Sequence, residues 1–92
     1  PGKGAQLNNY GAFLCRLGEY TKAEDYFLQA VQDSDYLNVA GAYENAGLCV
    51  QQIPDYAKAE FYFRKALEHD PGRANSAMEL TKLNAKYNRL SS

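Results

Sequence analysis

Few of the 92 residues carry side chains able to do covalent or metal chemistry. The one histidine, His69, has no second histidine, cysteine or carboxylate at the spacing of a metal site or a general-base relay. Its place near a helix end, where a positive charge is favoured by the dipole, accounts for it without catalysis. The serines, Ser34, Ser76, Ser91 and Ser92, stand in no Gly-x-Ser-x-Gly turn, and no glycine-rich loop could cradle a phosphate. Cys15 and Cys49 are too few for a disulfide scaffold. No catalytic residue, metal ligand or cofactor site is expected, and the chain is not expected to be an enzyme. The remaining chemistry is recognition, by amides, scattered charges and small apolar patches at helical spacing.

Composition narrows the classes of partner. Hydrophobic residues make up 46% and charged residues 23%, ordinary for a folded chain and too apolar for disorder. A net charge of −1 offers no basic field for nucleic acid or an anionic membrane. No apolar run approaches the about 20 residues that span a bilayer. The opening Pro1-Gly2-Lys3-Gly4 has neither the apolar core of a signal peptide nor a lipid-attachment cysteine. The chain is therefore read as cytosolic, or as the product of a gene whose targeting segment lies upstream.

The elements that must position these groups are announced by an internal repeat. Residues 18–30, from Gly18 through Tyr20, Ala23 and Phe27 to Ala30, match residues 54–66, from Pro54 through Tyr56, Ala59 and Phe63 to Ala66, at a shift of 36. Asn9 and Gly11 return as Asn45 and Gly47 at the same shift. Gly18 and Pro54 break each unit into two helical halves. The spacing predicts five antiparallel helices, all α, at about 5–17, 20–33, 38–51, 56–69 and 72–88. Thr21 and Glu24 read as a capping box, Asp55 as an N-cap, and Asp70-Pro71 as a cap followed by proline at the first helical position. The fifth helix is expected to bury Ala74, Ala77, Leu80, Leu83 or Asn84, and Tyr87, while Glu79, Lys82, Lys86 and Arg89 make a polar cap. Gly11 and Gly47 each cost a helix about 1 kcal/mol against alanine, and close helix–helix approach is the expected reason.

Helix–turn–helix units with Gly47, Tyr56, Ala59, Phe63, Ala66 and Pro71 at these offsets resemble the tetratricopeptide repeat. Unit one is similar through Gly11, Gly18, Tyr20, Ala23, Phe27 and Ala30, with Asp35 where proline is usual, and its two extra residues are placed in the loop Ser34–Asn38. The resemblance implies unit one at about 4–37, unit two at about 40–73 and a half unit or capping helix at about 74–90. Pro1 falls where the closing proline of a preceding unit would stand, so the chain reads as a piece of a longer array. The stretches Leu7–Cys15, Glu44–Cys49 and Tyr56–Leu67 further resemble the PilF/PilW family, pilotin-type lipoproteins of type IV pilus biogenesis in Gram-negative bacteria. That resemblance implies a lipid-anchored protein on the periplasmic face of the outer membrane that helps the secretin, the pore subunit, reach the membrane and oligomerise. The membrane would be met only through a lipid anchor absent from this chain.

A tetratricopeptide array binds through the concave face of its first helices. The resemblance therefore implies a partner-binding face at Asn8, Ala12 and Arg16 of unit one and Glu44, Leu48, Gln51 and Gln52 of unit two, with Met78, Lys82 and Lys86 beyond. This face suits an extended peptide or a docked helix, here a secretin segment. The bland alternative for each residue is a solvated surface position, and for Asn9 and Asn45 a structural bond between helices. Other functional classes left open are a cytosolic co-chaperone or regulatory adaptor and a helical-repeat RNA binder, the last disfavoured by the charge. The chain is expected to be a monomer, or a dimer where the apolar ends of a cut solenoid meet in a crystal.

The implied periplasm also bears on the cysteines. Cys15 and Cys49 both lie on first helices, which stand side by side, so a bridge forms if both thiols turn to the shared interface. The alternative is two buried free thiols acting as small apolar residues.

Overall fold

The structure, a computed structural model, describes the backbone of residues 3–91 and the side chains of residues 3–86. Five helices follow one another: α1 (Lys3–Arg16), α2 (Tyr20–Val31), α3 (Val39–Val50), α4 (Tyr56–His69) and α5 (Ala74–Ser91). No strand occurs among the described residues. Helices α1 and α2 form one antiparallel hairpin and α3 and α4 a second, with α2 packed on α3 and α4 on α5.

The 36-residue repeat reappears as repeated contacts. Glu19 N–H donates to the Leu14 carbonyl (2.9 Å), and Asp55 N–H donates to that of Val50 (2.8 Å). The first turn is made by Gly18 at φ +84°, which only glycine adopts freely, and the second carries a cis Ile53–Pro54 bond. Gly11 and Gly47 are matched too. A Cβ on either would lie 2.7 Å from a ring carbon of Phe27 or Phe63, respectively. Each glycine thus lets its hairpin close over a phenylalanine that is at most 1% exposed. Around these rings Ala23, Ala30, Ala59 and Ala66 are fully buried, as the apolar spacing of α2 and α4 requires.

Several local expectations are corrected. Asp55 caps α4 by accepting from Lys58 N–H (3.1 Å), but Thr21 and Glu24 form no box. Glu19 is the N-cap of α2 without a side-chain bond, and Glu24 is instead buried against α4. Asp70 and Pro71 do not open α5; Asp70 closes α4, its N–H bonded to Ala66 and its carboxylate to Gly72 N–H. The buried face of α5 differs in part from the expected one. Ser76, Leu80 and Leu83 are buried, whereas Ala74, Ala77 and Asn84 are exposed because no described helix covers that side. The expected roles of Pro1, Tyr87 and Arg89 fall on side chains outside the described residues. Asn38, not anticipated, caps α3 by accepting from Gly41 N–H (3.1 Å). In the preceding loop Asp33 accepts from the Asp35 and Gly4 amides, tying the loop to the start of α1.

Candidate protein-binding face

Helices α1, α3 and α5 carry the residues that the sequence assigns to a partner-binding face, and three sets of side-chain contacts link them. Between α1 and α3, Asn45 Nδ2 donates to Asn8 Oδ1 (3.0 Å), and Cys15 is joined to Cys49 across the same seam with Cα atoms 5.9 Å apart. Between α3 and α5, Gln51 Nε2 donates to Glu79 Oε1 (3.3 Å). At the other end of that seam Arg73 Nε and Ser76 Oγ donate to Glu44 Oε2, at 3.1 and 2.8 Å.

The sequence-expected residues fall into two groups. Arg16 and Gln52 are exposed, and Ala12, Leu48 and Gln51 are half-buried, so all five keep surface available to a partner. Asn8 is half-buried and bonded to the neighbouring helix, and Glu44 is committed inside the protein. Asn8 accepts from Asn45, which fulfils the structural reading for Asn45, while Asn9 is exposed and takes no part in that bond. Glu44, only 6% exposed, is the acid that fastens α5 to α3. Burial by itself would raise its carboxyl; the hydrogen bonds from Arg73 and Ser76, the guanidinium charge and a bond from Asn75 outweigh burial and hold it below its ordinary value. On the opposite face Glu24 plays the matching part. It accepts from Tyr62 Oη and pairs with Lys58 Nζ at 3.2 Å, fastening α2 to α4. Burial pushes the Tyr62 phenol far up, and the Glu24 carboxylate adds to that.

The pairing roles of Arg73, Ser76, Glu79 and Tyr62 were missed by sequence reasoning, which gave Glu79 only as part of a polar cap. Glu44 and Arg73 are separated by 29 residues and Glu24 and Tyr62 by 38. Pairings at such distances leave no local periodicity to read. At the α3–α5 seam a cleft of about 300 Å³ opens, lined by Gln51, Gln52, Tyr56, Glu79, Lys82, Leu83 and Lys86. Lys82 Nζ rests 3.8 Å from Glu79, and Lys86 Nζ lies 4.6 Å from the centre of the Tyr56 ring and donates to its Oη (3.1 Å). Among the described residues no His, Cys, Asp and Glu gather in a group that could hold a metal ion, and no helix is long and apolar enough to cross a membrane.

Against this geometry stand the likenesses to known proteins. The tetratricopeptide repeat family model matches residues 5–71. The type IV pilus assembly protein PilF of Pseudomonas aeruginosa is 36% identical over 77 residues, which is 84% of this chain and 31% of that protein. A solved structure described as a functional characterization of Pseudomonas aeruginosa pilF superposes with a TM-score of 0.86 at 34% identity, covering 94% of this chain and 39% of that one. The chain therefore spans less than a third of the length of the curated relative it matches.

Proposed function

The chain belongs to the tetratricopeptide repeat family, and from that membership and its likeness to PilF we propose that it is a binding scaffold of type IV pilus assembly whose partner is a segment of the secretin. The observation that carries the reading is the continuous face of α1, α3 and α5, held in register by Asn8–Asn45, Gln51–Glu79 and Glu44–Arg73. A face fixed before binding loses little conformational freedom when a partner arrives. Arg16, Ala12, Leu48, Gln51 and Gln52 supply one charge, two amides and small apolar areas, which suit an extended segment or a helix laid across three helices. The pilus context comes from the likeness to PilF. Action on the secretin at the periplasmic face of the outer membrane is the role the PilF/PilW resemblance implies. The scaffold works by holding its partner rather than by catalysis.

Titration calorimetry with a periplasmic secretin segment tests this. Arg16→Glu with Gln52→Glu weakens binding and leaves the circular dichroism spectrum and melting unchanged, because both side chains are exposed. Arg64→Glu with Lys65→Glu on α4 leaves affinity unaltered. Loss of binding through the α4 pair alone would place the partner on the outer face and refute the groove.

A further inference from the structure

The receiving half of a clasp between second helices occurs twice in the sequence and is filled once. Glu24 of α2, only 7% exposed, accepts from Tyr62 Oη of α4 and holds Lys58 Nζ at 3.2 Å. One repeat of 36 residues earlier, the places of Lys58 and Tyr62 are taken by Lys22 and Tyr26. Four positions apart, Lys22 and Tyr26 share one stripe of α2, and Glu24, two from each, lies on the other side. Lys22 is exposed and Tyr26 half-buried. Among the described residues no carboxylate pairs with Lys22, and nothing bonds the Tyr26 hydroxyl. The same end of the hairpin is apolar. Where α3 packs on α2, Ala46 and Cys49 are fully buried. Their counterparts 36 residues earlier, Tyr10 and Phe13 of α1, are 47% and 46% exposed. The Tyr10 ring stacks 6.2 Å from that of Phe13 and meets the Tyr26 ring edge-on at 4.8 Å. The open half of the clasp thus borders an aromatic surface.

We propose that this end of the first hairpin is a binding site for an amphipathic helix that carries a glutamate. The helix lies along α1 beside α2, and its carboxylate takes Tyr26 and Lys22 as Glu24 takes Tyr62 and Lys58. The occupant is a helix of an adjoining repeat unit in a longer polypeptide. Two observations support that source. The site repeats, position for position, the one that α2 fills from within the chain, and the stretch matched in PilF is only 31% of that protein. The carboxylate is what selects the occupant. The rings of Tyr10 and Phe13 offer area to any apolar helix. The phenol and the ammonium favour only a helix with an acid at the matching place, because a charge-assisted bond is roughly twice as strong as a neutral one. The site is independent of the secretin groove, which is defined by Arg16 and Gln52.

The test uses two fluorescein-labelled, hydrocarbon-stapled helices with the sequence of residues 19–33, which contains α2. One keeps Glu24 and the other carries Glu24→Gln. Fluorescence anisotropy with the full chain reads their affinities. The glutamate helix is expected to bind about tenfold tighter, the size of a hydrogen bond to a charged group at a partly exposed site. Lys22→Met with Tyr26→Phe in the chain, checked as folded by circular dichroism, abolishes that advantage. Lys22→Met alone, at an exposed position, reduces it. Arg64→Met, exposed on α4, leaves both affinities unchanged. Amide shifts induced by the glutamate helix gather at Tyr10, Phe13, Lys22 and Tyr26. Equal binding of the two helices, no binding of either, or an advantage that survives the double substitution overturns the assignment. So does dimerisation of the chain alone in sedimentation that Lys22→Met abolishes, because a second copy would then hold the site.

Discussion

Glu44 shows why single residues in this chain resist reading from their neighbours. At its place in the repeat, an acid on a first helix reads as a groove contact, and nothing nearby in sequence contradicts that. The structure spends its charge internally, on Arg73 and Ser76, which lie in the turn before α5 and in the first turn of that helix. The pairing has a pH signature. Because the folded carboxyl titrates below its ordinary value of 4.5, its contribution to stability is fully present above that value and is lost as pH falls through the depressed folded value. Glu44→Gln leaves the Arg73 guanidinium with only the more distant Asp70 carboxylate, at 3.8 Å, and costs about 1–3 kcal/mol at neutral pH. In urea titrations the gap between wild type and Glu44→Gln narrows as the solution is acidified below 4.5. A gap that stays constant across that range contradicts the assignment.

Among the elements, what was legible was whatever repeats. The first four helices, the Gly11–Phe27 and Gly47–Phe63 contacts and the buried alanines of α2 and α4 all follow from a pattern that occurs twice. The misreadings fall where the pattern occurs once or where two local chemistries compete. Glu24 has the spacing of a capping residue, yet burial beside Tyr62 and Lys58 engages both its oxygens more fully than the helix end would. Asp70 has the look of an N-cap, but the turn after α4 uses it as a terminator. The fit of glycine to ring supplies a sharp test of the hairpins. By helix propensity alone Gly47→Ala stabilises α3 by about 1 kcal/mol. Here the added methyl meets the fully buried Phe63 ring at 2.7 Å, so the change is destabilising. Overpacking costs about 1–3 kcal/mol. Chemical denaturation shows the sign, and a more stable Gly47→Ala protein would contradict the packing.

As a whole the molecule is a slab of about 48 × 28 × 16 Å, thin enough that its function must lie on a face. The two hairpins are joined on one side by Glu24 with Tyr62 and Lys58, and on the other by Asn8 with Asn45 and the link between Cys15 and Cys49. The two cysteines are 34 residues apart in sequence, so their bridge closes a long loop and in the chain-entropy picture stabilises by about 3–4 kcal/mol. Protein made in an oxidising compartment is expected to show no free thiol under denaturing, non-reducing conditions, and its denaturation midpoint is expected to fall on reduction. Two free thiols in that material would contradict the bridge and the periplasmic setting together. The seams between α1, α3 and α5 were only partly legible. The repeat could mark Arg16, Leu48, Gln51 and Gln52 as facing one way, but Glu79 and Arg73 joined the seam through contacts between units with no echo in sequence.

The central claim, that a pilus secretin segment is held on the face of α1, α3 and α5, is tested most directly by amide chemical-shift mapping. The isotope-labelled chain is titrated with the unlabelled periplasmic secretin segment. The account predicts that perturbations gather at Ala12, Arg16, Leu48, Gln51, Gln52 and Lys82 and spare the outer positions Lys22, Asp25, Arg64 and Lys65. Perturbations confined to α2 and α4, with the groove amides unmoved at saturation, would contradict it.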